Sequence, residues 1–167
     1  MEGIKIQLND ILSCRERRAQ IQTDYIHNYH CPVISFCMNI PGPVKTNPHI
    51  RKAFEVGKRE FMSWLHSEQI RISGCTEFHE DTGDELIMAV NCPAEKLKEK
   101  AVLIEETPPL GRLYDIDIID KTGTKLSRKF CRKCIICGKD AYECARARTH
   151  SVDELQTKVE EIIQKFL

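Results

Sequence analysis

Residues 111–120 read GRLYDIDIID, and this stretch decides how the chain is understood. Its apolar positions describe a strand running into the interior, yet Asp115 and Asp117 stand two apart. Strand side chains alternate, so residues i and i+2 point the same way with Cα atoms roughly 6.5–7 Å apart. Two same-side carboxylates in such a strand repel one another unless positive charge sits between them. One divalent ion would resolve this, as would a pair of ions about 3.5–4 Å apart. Mg²⁺ suits the donor set, because it takes hard oxygen ligands and completes its shell with water and substrate phosphates. The plainer alternative is a solvated acidic edge, or two separate salt bridges to arginine or lysine, and D-x-D alone does not choose between them.

The neighbours bear on the choice. Gly111 and Arg112 precede the strand directly, and PGPVK at 41–45 offers a permissive backbone ending in Lys45. Arg15 and Arg18 lie in an arginine-rich segment near the start. Each taken singly is an ordinary surface charge. Together they supply the cations that phosphate binding needs, and with two carboxylates for a metal they describe a phosphoryl- or nucleotidyl-transfer centre.

Working outward, NDILSCRERRAQIQTDYIHNY (9–29) is expected to be helical, capped by Asn9 or Ser13, with Ser13 and Glu16 as a capping box. PVISFCMNI (32–40) alternates with the period of a half-buried strand. Asn47 followed by Pro48 starts a second helix, whose Ile50, Phe54, Phe61 and Leu65 recur at helical spacing to about His66. IRISGCTEF and ELIMAVN flank a tight reversal at HEDTGD and predict a β-hairpin. Asn91, Pro93 and Glu95 open a helix to about Glu105. After the 111–120 strand, a turn at DKTG and a strand TKLS predict a second hairpin. The chain closes on a helix capped by Ser151 and Glu154, with Leu155, Val159, Ile162 and Phe166 as its apolar stripe. This order predicts an α+β fold: a mixed, mostly antiparallel sheet with helices on one face, reminiscent of nucleotidyltransferase sheets. Residues 1–167 are expected to form one domain, with 131–150 as a subregion.

That subregion holds the second motif. Cys134-x2-Cys137-x6-Cys144-x5-His150 has the spacing of a Cys₃His tetrahedral zinc site, and Gly138 permits its turn. With four protein ligands no position is left for water, so such a site is structural. Cys131 is a spare ligand candidate, and packed, unliganded thiols are the alternative. Nothing in the sequence singles out one thiol with a basic partner as a nucleophile.

Composition bounds the rest. Of 167 residues, 41% are hydrophobic and 30% charged, as in a globular protein, and no apolar run is long enough for a membrane span. The start of the chain lacks the basic-then-apolar order of an export signal, and the nine cysteines are an odd total, so a cytoplasmic protein without a disulfide framework is expected. Twenty-five basic residues balance twenty-five acidic ones. That balance argues against nucleic acid as a partner, while a zinc-dependent interaction module without chemistry is the alternative reading from another class.

PLGRLYDIDIID (109–120), CIICGKDAYECARARTH (134–150), MNIPGPVK (38–45) and SCRERRAQIQ (13–22) together resemble the apo-citrate lyase phosphoribosyl-dephospho-CoA transferase family, also called holo-citrate lyase synthase. One departure is that Ser127-Arg128 leads almost directly into the cysteines, where family members carry an acidic-aromatic segment ending in two prolines. The resemblance implies that a serine of the citrate lyase acyl carrier (γ) subunit attacks 2′-(5″-triphosphoribosyl)-3′-dephospho-CoA and releases pyrophosphate. It implies Mg²⁺ on Asp115 and Asp117, with Glu105 as a third acidic ligand, phosphates on Arg112 and Lys45, and Arg15 and Arg18 in support. The malonate decarboxylase carrier is the alternative acceptor within the same chemistry.

Overall fold

The computed structural model describes residues 1–166. Four strands, β1 (Val33–Met38), β2 (Ile72–Glu80), β3 (Gly83–Val90) and β4 (Tyr114–Ile119), form one antiparallel sheet in the order β2-β3-β1-β4. The strand bearing the two aspartates is therefore an edge strand, paired on one side with β1.

Helix α2 (Pro48–Ser67) starts as the sequence predicts: Asn47 accepts the His49 and Ile50 N–H groups, and Pro48 fills the first turn. Its stripe of Ile50, Ala53, Phe54, Gly57, Phe61 and Leu65 is buried against Ile34 and Phe36 of β1 and Leu86, Met88 and Val90 of β3. Each fully buried phenylalanine contributes roughly 1.5–3 kcal/mol. Gly57 is required for the close approach, since a Cβ there would stand 2.7 Å from the Tyr114 ring and 2.9 Å from that of Phe36. Helix α3 (Ala94–Glu106) and the C-terminal α5 (Val152–Gln164) complete this layer through Leu97, Ala101, Ile104, Val159 and Ile163. The Ser151–Glu154 capping box of α5 is present. Ile163 is buried where Phe166 was expected, and Phe166 is exposed.

Helix α1 (Leu8–Tyr29) covers the opposite face, so the helices expected on one side of the sheet include one on the other. The cause lies in the alternate positions of the central strands: Val33, Ile87, Ala89 and Ile119 are apolar and buried, and Ile21, Tyr25 and Ile26 pack over them. This helix begins earlier than Asn9 or Ser13 would place it. Asp10 accepts the Gln7 N–H at 3.0 Å, which makes Gln7 the cap and leaves Ser13 inside the second turn.

The β2–β3 hairpin forms, with Glu80 opposite Gly83 and Gly83 at φ +118°. The second hairpin does not extend into a strand. Asp120 Oδ1 accepts the Thr122 and Thr124 N–H groups and turns the chain tightly, after which Lys125 makes a single bridge to Ile119 and the Leu126 N–H donates to Ile118 O at 2.8 Å. Between α3 and β4 a 3₁₀ turn, Leu110–Leu113, brings Gly111 so near the Ile104 carbonyl that a Cβ would lie 2.3 Å from it.

Candidate active site

The face beneath α1 divides into two halves. Near the C-terminal half of the helix it is apolar; near the N-terminal half it is charged. Strand pairing sets Cys37 of β1 opposite Glu85 of β3 on one side and Asp115 of β4 on the other, so Glu85, Cys37 and Asp115 form one rung across three strands. The next rung carries Ile87, Ser35 and Asp117. Arg18 reaches down from α1 with Nη2 2.6 Å from Glu85 Oε1 and Nη1 3.5 Å from Cys37 Sγ. Arg17 beside it pairs with Glu80 at 2.8 Å, stacks on the Phe78 ring at 4.0 Å and lies 3.7 Å from Glu85.

This rung floors a cavity of about 360 Å³ whose rim and walls include Arg15, Arg18, Lys45, Glu85 and Asp115. Four residues selected from sequence (Arg15, Arg18, Lys45 and Asp115) are thus brought to one place. Lys45 donates to the Ile40 carbonyl at 2.7 Å, and burial, reinforced by nearby Arg15, holds its ammonium below the usual lysine range. Burial pushes the Cys37 thiol up to about 12 against the pull of Arg18, so it is neutral at physiological pH and no nucleophile. Glu85 is the residue that sequence reasoning missed. It is 2% exposed, and neither carboxylate oxygen has a well-directed hydrogen bond among the described residues. The signal was present: in β3 it is the single acid in phase with Ile87 and Ala89.

The aspartates do not share one cation in the protein itself. Lys125 Nζ is 2.6 Å from Asp117 Oδ2, while Arg132 Nη1 approaches Asp115 Oδ1 at 3.8 Å. Their side chains are 24% and 44% exposed respectively, and the nearest group to Asp115 Oδ2 is the Cys37 thiol at 4.0 Å. Asp115 lines the 360 Å³ cavity, and both aspartates line another of about 450 Å³ together with Lys125, Arg128 and Arg132. Asp115 and Asp117 fit a hard divalent ion that takes one or two carboxylates and leaves its other positions to water and phosphate.

The other expected residues lie elsewhere. Glu105 is buried at the outer edge of β4, where Oε1 accepts the Ile116 N–H at 2.8 Å and Oε2 pairs with Arg128 at 2.8 Å. Arg132 stands between Glu105 and Asp115, so a fixed guanidinium occupies the place of a third acidic ligand's metal. Arg112 donates to the Lys133 carbonyl and lines a different, larger cavity. Gly111 is buried against the end of α3 and shapes packing there.

The cysteine segment folds as a compact knuckle. One ligand atom from each of Cys134, Cys137, Cys144 and His150 lies within 4.8 Å of all the others, and the two nearest sulfurs, of Cys137 and Cys144, are 3.5 Å apart. Gly138 takes φ +73° and donates to the Cys134 carbonyl, closing the turn. Asp140 caps a short helix not expected from sequence, α4 (Ala141–Ala147), which carries Cys144. His150 Nε2 is buried and has no partner among the described residues, an arrangement that a metal bond would satisfy. Four such donors fit a tetrahedral ion, and Cys131 lies exposed outside the set.

The chain is similar to known proteins along nearly its whole length. The family model described as apo-citrate lyase phosphoribosyl-dephospho-CoA transferase matches residues 6–166. A probable enzyme of that name from Vibrio cholerae serotype O1 (strain M66-2) is 33% identical over 98% of this chain and 94% of its own length. Another from Streptococcus pyogenes serotype M18 is 34% identical over 98% of this chain and 88% of its own. With a rung of buried acid and arginine beneath α1, and a match along nearly all of its length, the chain belongs to the apo-citrate lyase phosphoribosyl-dephospho-CoA transferase family.

Proposed function

We propose that this protein transfers the phosphoribosyl-dephospho-CoA group from its triphosphate donor to a serine of the citrate lyase acyl carrier (γ) subunit. The observation that carries the reading is the convergence of Arg15, Arg18 and Lys45 on a cavity floored by Asp115. Three cations at one mouth suit a triphosphate, and a carboxylate beneath them suits the hydroxyl that attacks it. In the reaction the serine Oγ forms a bond to the α-phosphorus, the bond from that phosphorus to the α,β-bridging oxygen breaks, and pyrophosphate leaves with the electron pair. The hydroxyl proton passes to a carboxylate, for which Asp115 is the nearest candidate at the cavity floor. Lys45 and the arginines neutralise the charge that accumulates on the departing oxygens.

Magnesium is the proposed partner of Asp115 and Asp117, and when bound it supplies further neutralisation of phosphate charge. Zinc is the proposed occupant of the Cys134, Cys137, Cys144 and His150 set, where it would hold the knuckle to the start of α5. The nine reduced cysteines support a cytoplasmic location, and among the described residues no helix is long and apolar enough to cross a membrane. Residues 1–167 are taken as one transferase unit.

The test is to offer the protein the triphosphate donor, Mg²⁺ and either of two apo-carriers, those of citrate lyase and of malonate decarboxylase. A mass gain equal to the prosthetic group on the citrate lyase carrier alone, with one pyrophosphate released per transfer, is expected. Gain on the malonate decarboxylase carrier alone, or no gain on either, refutes the reading.

A further inference from the structure

A second cavity is larger than the one lined by Asp115. It measures about 710 Å³ and lies between the end of β4, the knuckle and the first turn of α5. Its cations are Arg112, Arg132, Lys133 and Arg148, and its apolar wall includes Leu113, Ile135 and Leu155. A volume of this size is that of a ligand site for a large cofactor.

Two residues join it to the aspartate cavity. Asn39 lines both, and Arg132, which lines the larger cavity, approaches Asp115 at 3.8 Å. The intervening segment is PGP at 41–43, whose Pro41 carbonyl accepts from Gln156 of α5. The electrostatics of the larger cavity are unbalanced. Burial, with Arg132 and Arg128 close by, holds the Arg112 guanidinium below its usual range. The Arg132 Nε is buried without a partner, and the Arg148 guanidinium has no carboxylate at ion-pair distance among the described residues. Arg148 also takes φ +49°, a left-handed conformation that costs a side-chain-bearing residue energy and that glycine would adopt freely.

We infer that this cavity binds the dephospho-CoA part of the donor, with Arg148 and Arg112 on its diphosphate and the apolar wall against its pantetheine arm. The inference rests on the proposed transfer reaction for the identity of the ligand. A donor of that kind has two anionic ends, a triphosphate that reacts and a diphosphate that does not, separated by sugars. Two cationic cavities of the molecule likewise adjoin, at Asn39 and Arg132. The larger of them is the more apolar, as an uncharged arm requires. Placement of the unreactive end there fixes the triphosphate over Asp115, and binding energy from remote contacts is spent on orientation at the reacting phosphorus.

The test uses the full-length protein and calorimetric titration with two separate probes, dephospho-CoA and inorganic triphosphate. Two variants challenge the cavity: Arg148→Glu, which reverses an unpaired charge, and Val152→Glu, which adds a negative charge at the first turn of α5, where a helix tolerates it. Both are expected to weaken dephospho-CoA binding at least tenfold and leave triphosphate binding within twofold. In the transfer assay both raise KM for the donor at least tenfold, while kcat falls less than threefold. Asp115→Ala retains dephospho-CoA binding. Dephospho-CoA that fails to bind the wild-type protein, or binds both variants as tightly, overturns the inference and leaves the transfer reaction standing. Charge-sensitive dephospho-CoA binding in a protein that modifies neither carrier sinks the reaction and supports the site.

Discussion

Arg18 Nη2 lies 2.6 Å from Glu85 Oε1, on a carboxylate almost wholly removed from water. Removal of either member of this pair leaves the other buried and unpaired. Glu85→Ala is expected to lower unfolding free energy by about 3–5 kcal/mol, read from urea denaturation. The double variant Arg18→Met, Glu85→Leu should recover most of that loss and remain inactive; full transfer activity in it would remove Arg18 from the phosphate site.

Asp115→Asn and Asp117→Asn preserve shape and remove charge. Each is expected to slow transfer at least ~100-fold, the scale of losing a charge-stabilising group in an active site. Thermal unfolding should stay near that of the wild type, because both side chains are partly open to solvent. Near-normal turnover in either variant, followed by carrier mass, would show that the pair is ornamental.

Metal analysis of the purified protein should return about one zinc per chain. Cys144→Ser should release it and lower the thermal midpoint by roughly 5 °C or more, since the knuckle anchors the start of α5. Hydrogen exchange should rise in α5 more than in β1 or β3. An unchanged zinc content in Cys144→Ser refutes the ligand set.

Gly57→Ala tests the packing that carries β4. The added methyl would meet Tyr114 and Phe36 at 2.7 and 2.9 Å, so a loss of about 1–3 kcal/mol is expected despite alanine's better helix propensity. Stabilisation instead would mean that the α2–sheet interface has slack.

Acid should weaken the Arg17–Glu80 link that secures α1 to the hairpin. The Arg17 guanidinium holds the Glu80 carboxyl below its usual range, so its contribution is present above the unfolded carboxyl value near 4.5 and is lost as pH falls through the lower folded one. Being largely exposed, it is worth less than about 1 kcal/mol. Glu80→Gln should flatten the pH dependence of stability below pH 4.5 slightly; an identical acid limb in the variant would dismiss the link.

Local signals in the sequence were read correctly where one short-range interaction dominates. Asn47–Pro48 opened α2, Gly83 turned the hairpin, and the cysteine spacing located four ligand atoms that the fold brings together. Arg15, Arg18 and Lys45 were singled out from sequence as cations, and the fold collects them with Asp115 around one cavity. What escaped was set by partners distant in sequence. Glu105 looked like a metal ligand beside an acidic strand, but Arg128 and the Ile116 N–H claim it. Arg112 adjoins the aspartate strand in sequence, yet the 3₁₀ turn before β4 delivers it to the neighbouring cavity. Ser13 had the letters of a cap, and the helix had already begun.

Finally, the outer margin of β4 is sealed. Glu105 takes its Ile116 N–H, Arg132 donates to its Tyr114 carbonyl, and Leu126 donates to Ile118 O. These bonds block a foreign strand from zipping onto the segment that carries Asp115 and Asp117, which insulates its registry from aggregation. Any tendency of the protein to polymerise edge to edge falls instead on β2, where the charges of Glu77, His79 and Glu80 act as gatekeepers.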